Sequence, residues 1–184
     1  DYTIRISQWI QEHLPATPVF PTPGNHEFFP VNAMNFDGND ELIKQLSEVW
    51  ARWLDHESLE MFKKFGYYSM ALKGASNPRD GFRVIALNTE TCNHQNWYLF
   101  SQTSDPGGML TWVEQEFQKA EENGEKLFVI GHVKTGEDAC LFEWSVRYRA
   151  LMERYQHLIV ANLFGHTHTE DLNLISDTTN KDII

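Results

Sequence analysis

Two stretches, "KLFVIGH" at residues 126–132 and "LIVANLFGHTH" at 158–168, each set a short apolar run in front of a Gly-His pair. Runs this short and apolar, closed by glycine, read as strands buried on both faces of a sheet. The segment between them, residues 143–157, repeats Trp144, Leu151, Met152 and Tyr155 at helical spacing. Strand, helix, strand in this order predicts an α/β sandwich with a mixed sheet rather than a bundle or a barrel. His132 and His166 then fall at the carboxyl ends of two buried strands, the edge at which open α/β sheets bind ligands.

The rest of the chain extends that pattern. Ile6, Trp9, Ile10 and Leu14 predict an opening helix that Pro15 closes, followed by a short strand at Val19-Phe20. Leu42, Ile43, Leu46, Val49, Trp50, Trp53 and Leu54 form a strongly amphipathic helix. Leu59, Phe62 and Phe65 continue helically to a stop at Gly66. Residues 67–72 and 82–87 read as two strands, separated by "KGASNPRDG" with its Asn-Pro and Asp-Gly turn signals. Asp105-Pro106 opens a helix through Leu110, Trp112, Val113, Phe117 and Ala120, and Gly124 ends it. Trp9, Trp50, Trp53, Trp112 and Trp144 read as core or helix-packing residues.

At 184 residues the chain has material for one sizeable core, hence a single domain or part of one. Its net charge of −11 argues against a phosphate-backbone binder, so no nucleic-acid polymer is expected as partner. A small diffusible or membrane-presented substrate fits better. No apolar run reaches the ~20 residues of a membrane span, and the first residues lack a signal-peptide pattern. "DYTIRISQWIQ" begins inside a helical pattern, as if cut from a longer chain. Cys92 and Cys140 are too few for a disulfide scaffold and are either two buried thiols or one bridge, with composition favouring thiols.

His166 and His168 stand two residues apart, so an extended backbone directs both imidazoles to one side. With His132 they offer three neutral nitrogens to zinc, iron or manganese. Gly131 and Gly165 let the backbone turn sharply and approach an ion. In "FPTPGNHEFFP", residues 20–30, Asn25 can add an amide oxygen, leaving His26 to serve as acid or base. A single Gly-His at a strand end is a ligand about one time in ten, and three on one edge are less easily dismissed. His13, His56 and His157 sit in helical patterns and are assigned no role. His94 and Gln95 lie on a loop that can overhang the same edge, a one-in-three candidate for substrate contact.

"VFPTPGNHEFFPVN", "LNTETCNHQNWYLFSQTSDPGGMLTWVEQEFQKAEENGEKLFVIGH" and "VANLFGHTHTEDL", in that order, resemble the calcineurin-like metallophosphoesterases, and within them the acid sphingomyelinase branch. The resemblance runs from about Pro18 to Asp177, and GNHE with GHTH is its most specific part. It implies a four-layer αββα sandwich holding two divalent ions, with zinc the expected metal. Asn25, His132 and His166 would bind one ion and His168 the other. The implied reaction is hydrolysis of a phosphodiester, a phospholipid head group such as sphingomyelin or a nucleotide, by a metal-bridging hydroxide with His26 as general acid. Gln95 would meet the substrate, at a position where choline-lipid relatives carry glutamate. Glu27 would orient the turn or a neighbouring histidine. Cys92 and Cys140 match bridged positions, which implies a disulfide and a secreted or lysosomal compartment. Peripheral contact with a membrane would follow from a lipid substrate.

The family also uses an Asp-x-His motif and a Gly-Asp motif on earlier strands, and neither sits here ahead of Asn25. Residues 1–184 are therefore expected to form a partial catalytic domain, lacking those strands and the C-terminal end and inactive alone. The competing expectation is a non-catalytic metal-binding or interaction fragment.

Overall fold

The structure is a computed structural model that describes residues 2–72 and 81–176. The turn signals within 73–80 and the final "DTTNKDII" lie outside the described residues. Helix α1 (Tyr2–His13) is followed, after a long extended and looped segment, by α2 (Glu41–Trp50) and α3 (His56–Phe65). Strands β1 (Tyr68–Ala71) and β2 (Phe82–Ala86) precede α4 (Met109–Asn123), β3 (Lys126–Ile130), α5 (Phe142–Tyr155) and β4 (Ile159–Leu163).

Short polar residues set the helix ends. Asp40 accepts from the Leu42 and Ile43 amides, and Asp55 from Ser58. Each satisfies donors that a helix start leaves open. Asp105 caps α4 in the same way, accepting from the Leu110 and Thr111 amides across a short 3-10 turn at Pro106–Gly108. Gly66 stops α3 at φ 74°, and a Cβ there would stand 2.7 Å from both Asn88 Nδ2 and Ile43 Cδ1. Only glycine fits that left-handed, crowded position.

The strands lie in the order β1-β2-β3-β4, antiparallel between β1 and β2 and parallel from β2 to β4. This is the mixed sheet expected from the sequence. Alternate residues of each strand feed opposite cores. Ile85, Leu127 and Val129 join Val113 and Phe117 of α4 and Tyr148 and Met152 of α5. Tyr68 and Ala86 join Ile43 and Leu46 of α2 and Phe62 of α3. Helices thus cover both faces of the one sheet among the described residues.

Four expectations are corrected. β4 is not buried on both faces: among the described residues it is the outer strand of the sheet, with Val160 52% and Leu163 57% exposed. Val19-Phe20 forms no strand. Pro18, Pro21 and Pro23 withhold the amides a ladder needs, and the segment is tied to the sheet by Thr22 Oγ1 donating to the Leu87 carbonyl at 2.6 Å. Trp9 packs no core: it is 56% exposed and stacks on His13. Residues 166–168 are not extended either, because His166 and His168 have φ of 74° and 55°.

Candidate metal centre

The carboxyl ends of β2, β3 and β4 open onto the segment that carries Asn25. β3 leads through Gly131 to His132, and β4 through Phe164 and Gly165 to His166. Gly131 serves close approach rather than a sharp turn. A Cβ there would lie 2.6 Å from the Phe164 ring and 3.1 Å from Thr89 Cγ2. Thr89 Oγ1 in turn accepts from the His132 and Val133 amides and holds the chain as it leaves β3. Gly24 plays the same part from the other side, since a Cβ would meet His132 Cε1 at 3.0 Å.

These constraints bring three side chains together. Asn25 is buried, with Oδ1 2.8 Å from His132 Nε2, and His166 Nδ1 lies 3.2 Å from that same nitrogen. The imidazoles meet edge to face. Neighbouring ligands on a tetrahedral zinc with bonds of ~2.0–2.1 Å stand about 3.3 Å apart; the His132–His166 pair matches that, Asn25 stands closer to His132, and the N, N, O donor set suits part of one ion's shell. Among the described residues no group of three His, Cys, Asp or Glu side chains is arranged to hold an ion. The trio contains one amide, and a carboxylate contributed from the described residues is absent from it.

Burial lowers the pKa of His132, with His166, His26 and His168 pushing the same way and Glu27 opposing. That shift keeps the imidazole neutral, the form that ligates. His26 and His168 are exposed, and neither makes a hydrogen bond among the described residues. Both His166 and His168 have positive φ, so the extended backbone expected to direct them does not form; His166 Nδ1 still reaches His132, and His168 is exposed. Left-handed backbone in residues other than glycine is strained, and such strain concentrates at functional sites.

Glu27 closes its own turn. Its Oε2 accepts from the Gly24 amide at 2.6 Å, and its Oε1 from Thr3 Oγ1 at 2.8 Å. Cys92 and Cys140 are bridged, which decides the choice that composition left open. The bridge and the pairing of Asn93 with Cys140 tie the Gln95 loop to the segment before α5. Gln95 is exposed and linked to the trio, since Asn32 Nδ2 donates to its Oε1 at 3.1 Å and Asn32 Oδ1 accepts from Asn25 Nδ2 at 2.9 Å. Asn32, Asn93 and Glu90 were not singled out from sequence. The one available signal was a dense run of short polar residues, "NTETCN", straight after an apolar strand.

The calcineurin-like phosphoesterase family model matches residues 1–170. Over 178 residues the chain is 35% identical to the bovine (Bos taurus) protein named sphingomyelin phosphodiesterase, covering 94% of this chain and 27% of that protein. The human (Homo sapiens) sphingomyelin phosphodiesterase is 33% identical over the same share of each chain. The human acid sphingomyelinase-like phosphodiesterase 3b is 31% identical over 180 residues, 94% of this chain and 38% of that one. The chain thus spans between about a quarter and two fifths of the length of these relatives.

Proposed function

Since the chain belongs to the calcineurin-like phosphoesterase family, we propose that it is part of a metal-dependent phosphodiesterase of the acid sphingomyelinase type. The observation that carries this reading is the meeting of Asn25 Oδ1, His132 Nε2 and His166 Nδ1 at the carboxyl edge of the sheet. The family implies divalent metal, and we assign two zinc ions, one held by Asn25, His132 and His166 and the other by His168 with groups beyond this trio. When bound, such ions polarise the phosphoryl oxygens and make water nucleophilic at neutral pH.

The chain's own residues supply the remaining tasks. Asn25 and the two imidazoles would hold one ion at the edge where the phosphoryl group binds. His26, exposed beside Asn25 and hydrogen-bonded to nothing among the described residues, is free to reach a leaving oxygen. As the P–O ester bond breaks, it gives its proton to that oxygen, which an alkoxide leaving group requires. Glu27 holds the turn on which Asn25 and His26 stand. Gln95 contacts the group beyond the phosphate.

The names of the relatives support a lipid phosphodiester of the sphingomyelin kind as substrate. The Cys92–Cys140 bridge supports an oxidising, secreted or lysosomal compartment, and a lipid substrate would bring peripheral membrane contact. Among the described residues no helix is long and apolar enough to cross a membrane. The test is hydrolysis by the full-length protein of sphingomyelin vesicles and of a nucleotide phosphodiester, before and after chelation. Metal-dependent cleavage of sphingomyelin is expected; cleavage of the nucleotide alone would move the substrate class, and no cleavage of either would overturn the enzyme reading.

One observation favours a second reading, a non-catalytic metal-binding fragment: among the described residues the convergent trio holds no carboxylate. Two metals per full-length chain would exclude it.

A further inference from the structure

Glu90 is 1% exposed, in the 3-10 turn Thr89–Thr91 that leads to the disulfide. Its Oε1 accepts from Asn93 Nδ2 at 2.9 Å, while its Oε2 has no partner among the described residues. A carboxyl group so buried is costly to keep unless it has a task. Its surroundings define one. Asn93 Oδ1 accepts from the Gln95 amide at 3.1 Å, and a backbone N–H can only donate. Asn93 therefore has its carbonyl fixed at one end and its NH2 at the other. The second proton of that NH2 goes to Asn32 Oδ1 at 3.0 Å.

Each later amide inherits its direction. With Asn32 Oδ1 receiving Asn93, Asn32 Nδ2 faces Gln95 and donates to Oε1 at 3.1 Å. Asn32 Oδ1 also takes Asn25 Nδ2 at 2.9 Å, which leaves Asn25 Oδ1 toward His132. A reversed Asn25 would offer the imidazoles a donor that no metal accepts, so the direction of the chain decides whether Asn25 can ligate. The same direction leaves Gln95 Nε2 as the atom presented to solvent, a donor suited to an oxygen acceptor on the substrate.

We propose that Glu90 is a positioning residue that sets the direction of this amide chain, turning Asn25 Oδ1 toward the metal centre and Gln95 Nε2 toward the substrate. Oε1 accepts from Asn93 whether or not the carboxyl is protonated, so the direction survives either state. The consequence for catalysis rests on the phosphodiesterase reading, whereas the direction itself does not.

Two measurements test it. Zn2+ affinity of the full-length protein, read by competition with a chromophoric chelator, is compared for wild type, Glu90→Leu and Glu90→Gln. Leucine removes the acceptor and is expected to weaken zinc at least tenfold, while glutamine, which keeps one, stays within about threefold. Equal loss in both variants would assign the effect to charge and overturn the proposal, as would no loss in either. Neutron diffraction from wild-type crystals in D2O tests the direction itself without a variant, whether or not the leucine protein folds and whatever reaction the protein performs. Deuterons on Asn93 Nδ2 aimed at Glu90 and Asn32, with Gln95 Nε2 aimed outward, support it. Any one of the four amides reversed overturns it.

Discussion

Strands β2 and β3 carry a polar cluster at each end, and the two are built on opposite rules. At the amino ends Arg83 donates Nε and Nη2 to the two oxygens of Glu125 at 2.8 and 3.2 Å. Its remaining nitrogen lies 3.1 Å from Ser69 Oγ and 3.6 Å from Glu116. All three charged side chains are nearly buried, and each has a partner of opposite sign. At the carboxyl ends stand amides and imidazoles linked in a chain from Asn93 through Asn32 and Asn25 to His132, flanked by the exposed Gln95, His26 and His168. A cluster that satisfies itself contributes to folding, whereas one with directed, unspent atoms is prepared for a ligand. The difference can be read in which variants damage the fold and which damage the chemistry.

The largest separation is expected at His26. His26→Ala should lower turnover of the full-length enzyme by ~10²–10⁴-fold with metal content unchanged, the range of a lost general acid. Steady-state kinetics beside metal analysis checks it, and wild-type turnover would remove His26 from the reaction. At the opposite end, Arg83→Met leaves Glu125 and Glu116 buried without their cation. A loss of about 3–5 kcal/mol in urea unfolding is expected, with zinc affinity unaltered. A loss below ~1 kcal/mol would mean that the ion cluster is not the structural one.

Glu90 sharpens the comparison through pH. Burial raises its carboxyl to about 7, with Glu27 adding to the rise and the Asn93 hydrogen bond opposing it. In the unfolded chain the group returns to ~4.3. The folded state therefore holds this proton more tightly, and the stability it contributes is full below the unfolded value and lost as pH rises through 7. The loss amounts to about 3 kcal/mol, and Glu90→Gln should flatten it. Urea midpoints at pH 5 and pH 8 measure this, and parallel changes in wild type and variant would contradict the assignment. The smallest effect is expected at Gly131, where alanine must displace the Phe164 ring at a cost of about 1–3 kcal/mol. His132 should shift with it, so zinc affinity should fall while the Arg83 cluster is undisturbed.

The sheet and its helices were legible because their signals are local. An apolar run before Gly-His reads as a strand end, which holds for β3 and β4 even though β4 leaves Val160 and Leu163 exposed, and Gly66 and Gly124 stop helices because few other residues take a positive φ. The approach of His166 to His132 was legible for a related reason, since strand ends in such sheets share an edge, whereas Asn25 reaches it on a segment that is not a strand. The failures share a cause. Val19-Phe20 looks like a strand by its side chains, but the neighbouring prolines decide its backbone. His166 and His168 look like an alternating pair, but both are themselves left-handed, which cancels the period. Asn32, Asn93 and Glu90 stayed hidden because their meaning lies in contacts spanning about sixty positions between Asn32 and Asn93, and no spacing rule encodes that.

Metal counting tests the central claim most directly. Metal per chain would be determined by mass spectrometry for the full-length protein and for its His132→Ala and Arg83→Met variants, each after dialysis against zinc. Two ions in wild type and in Arg83→Met, with one lost from His132→Ala, is the result predicted for a phosphodiesterase centre at this edge. Equal metal in all three proteins, or none in wild type, would contradict it.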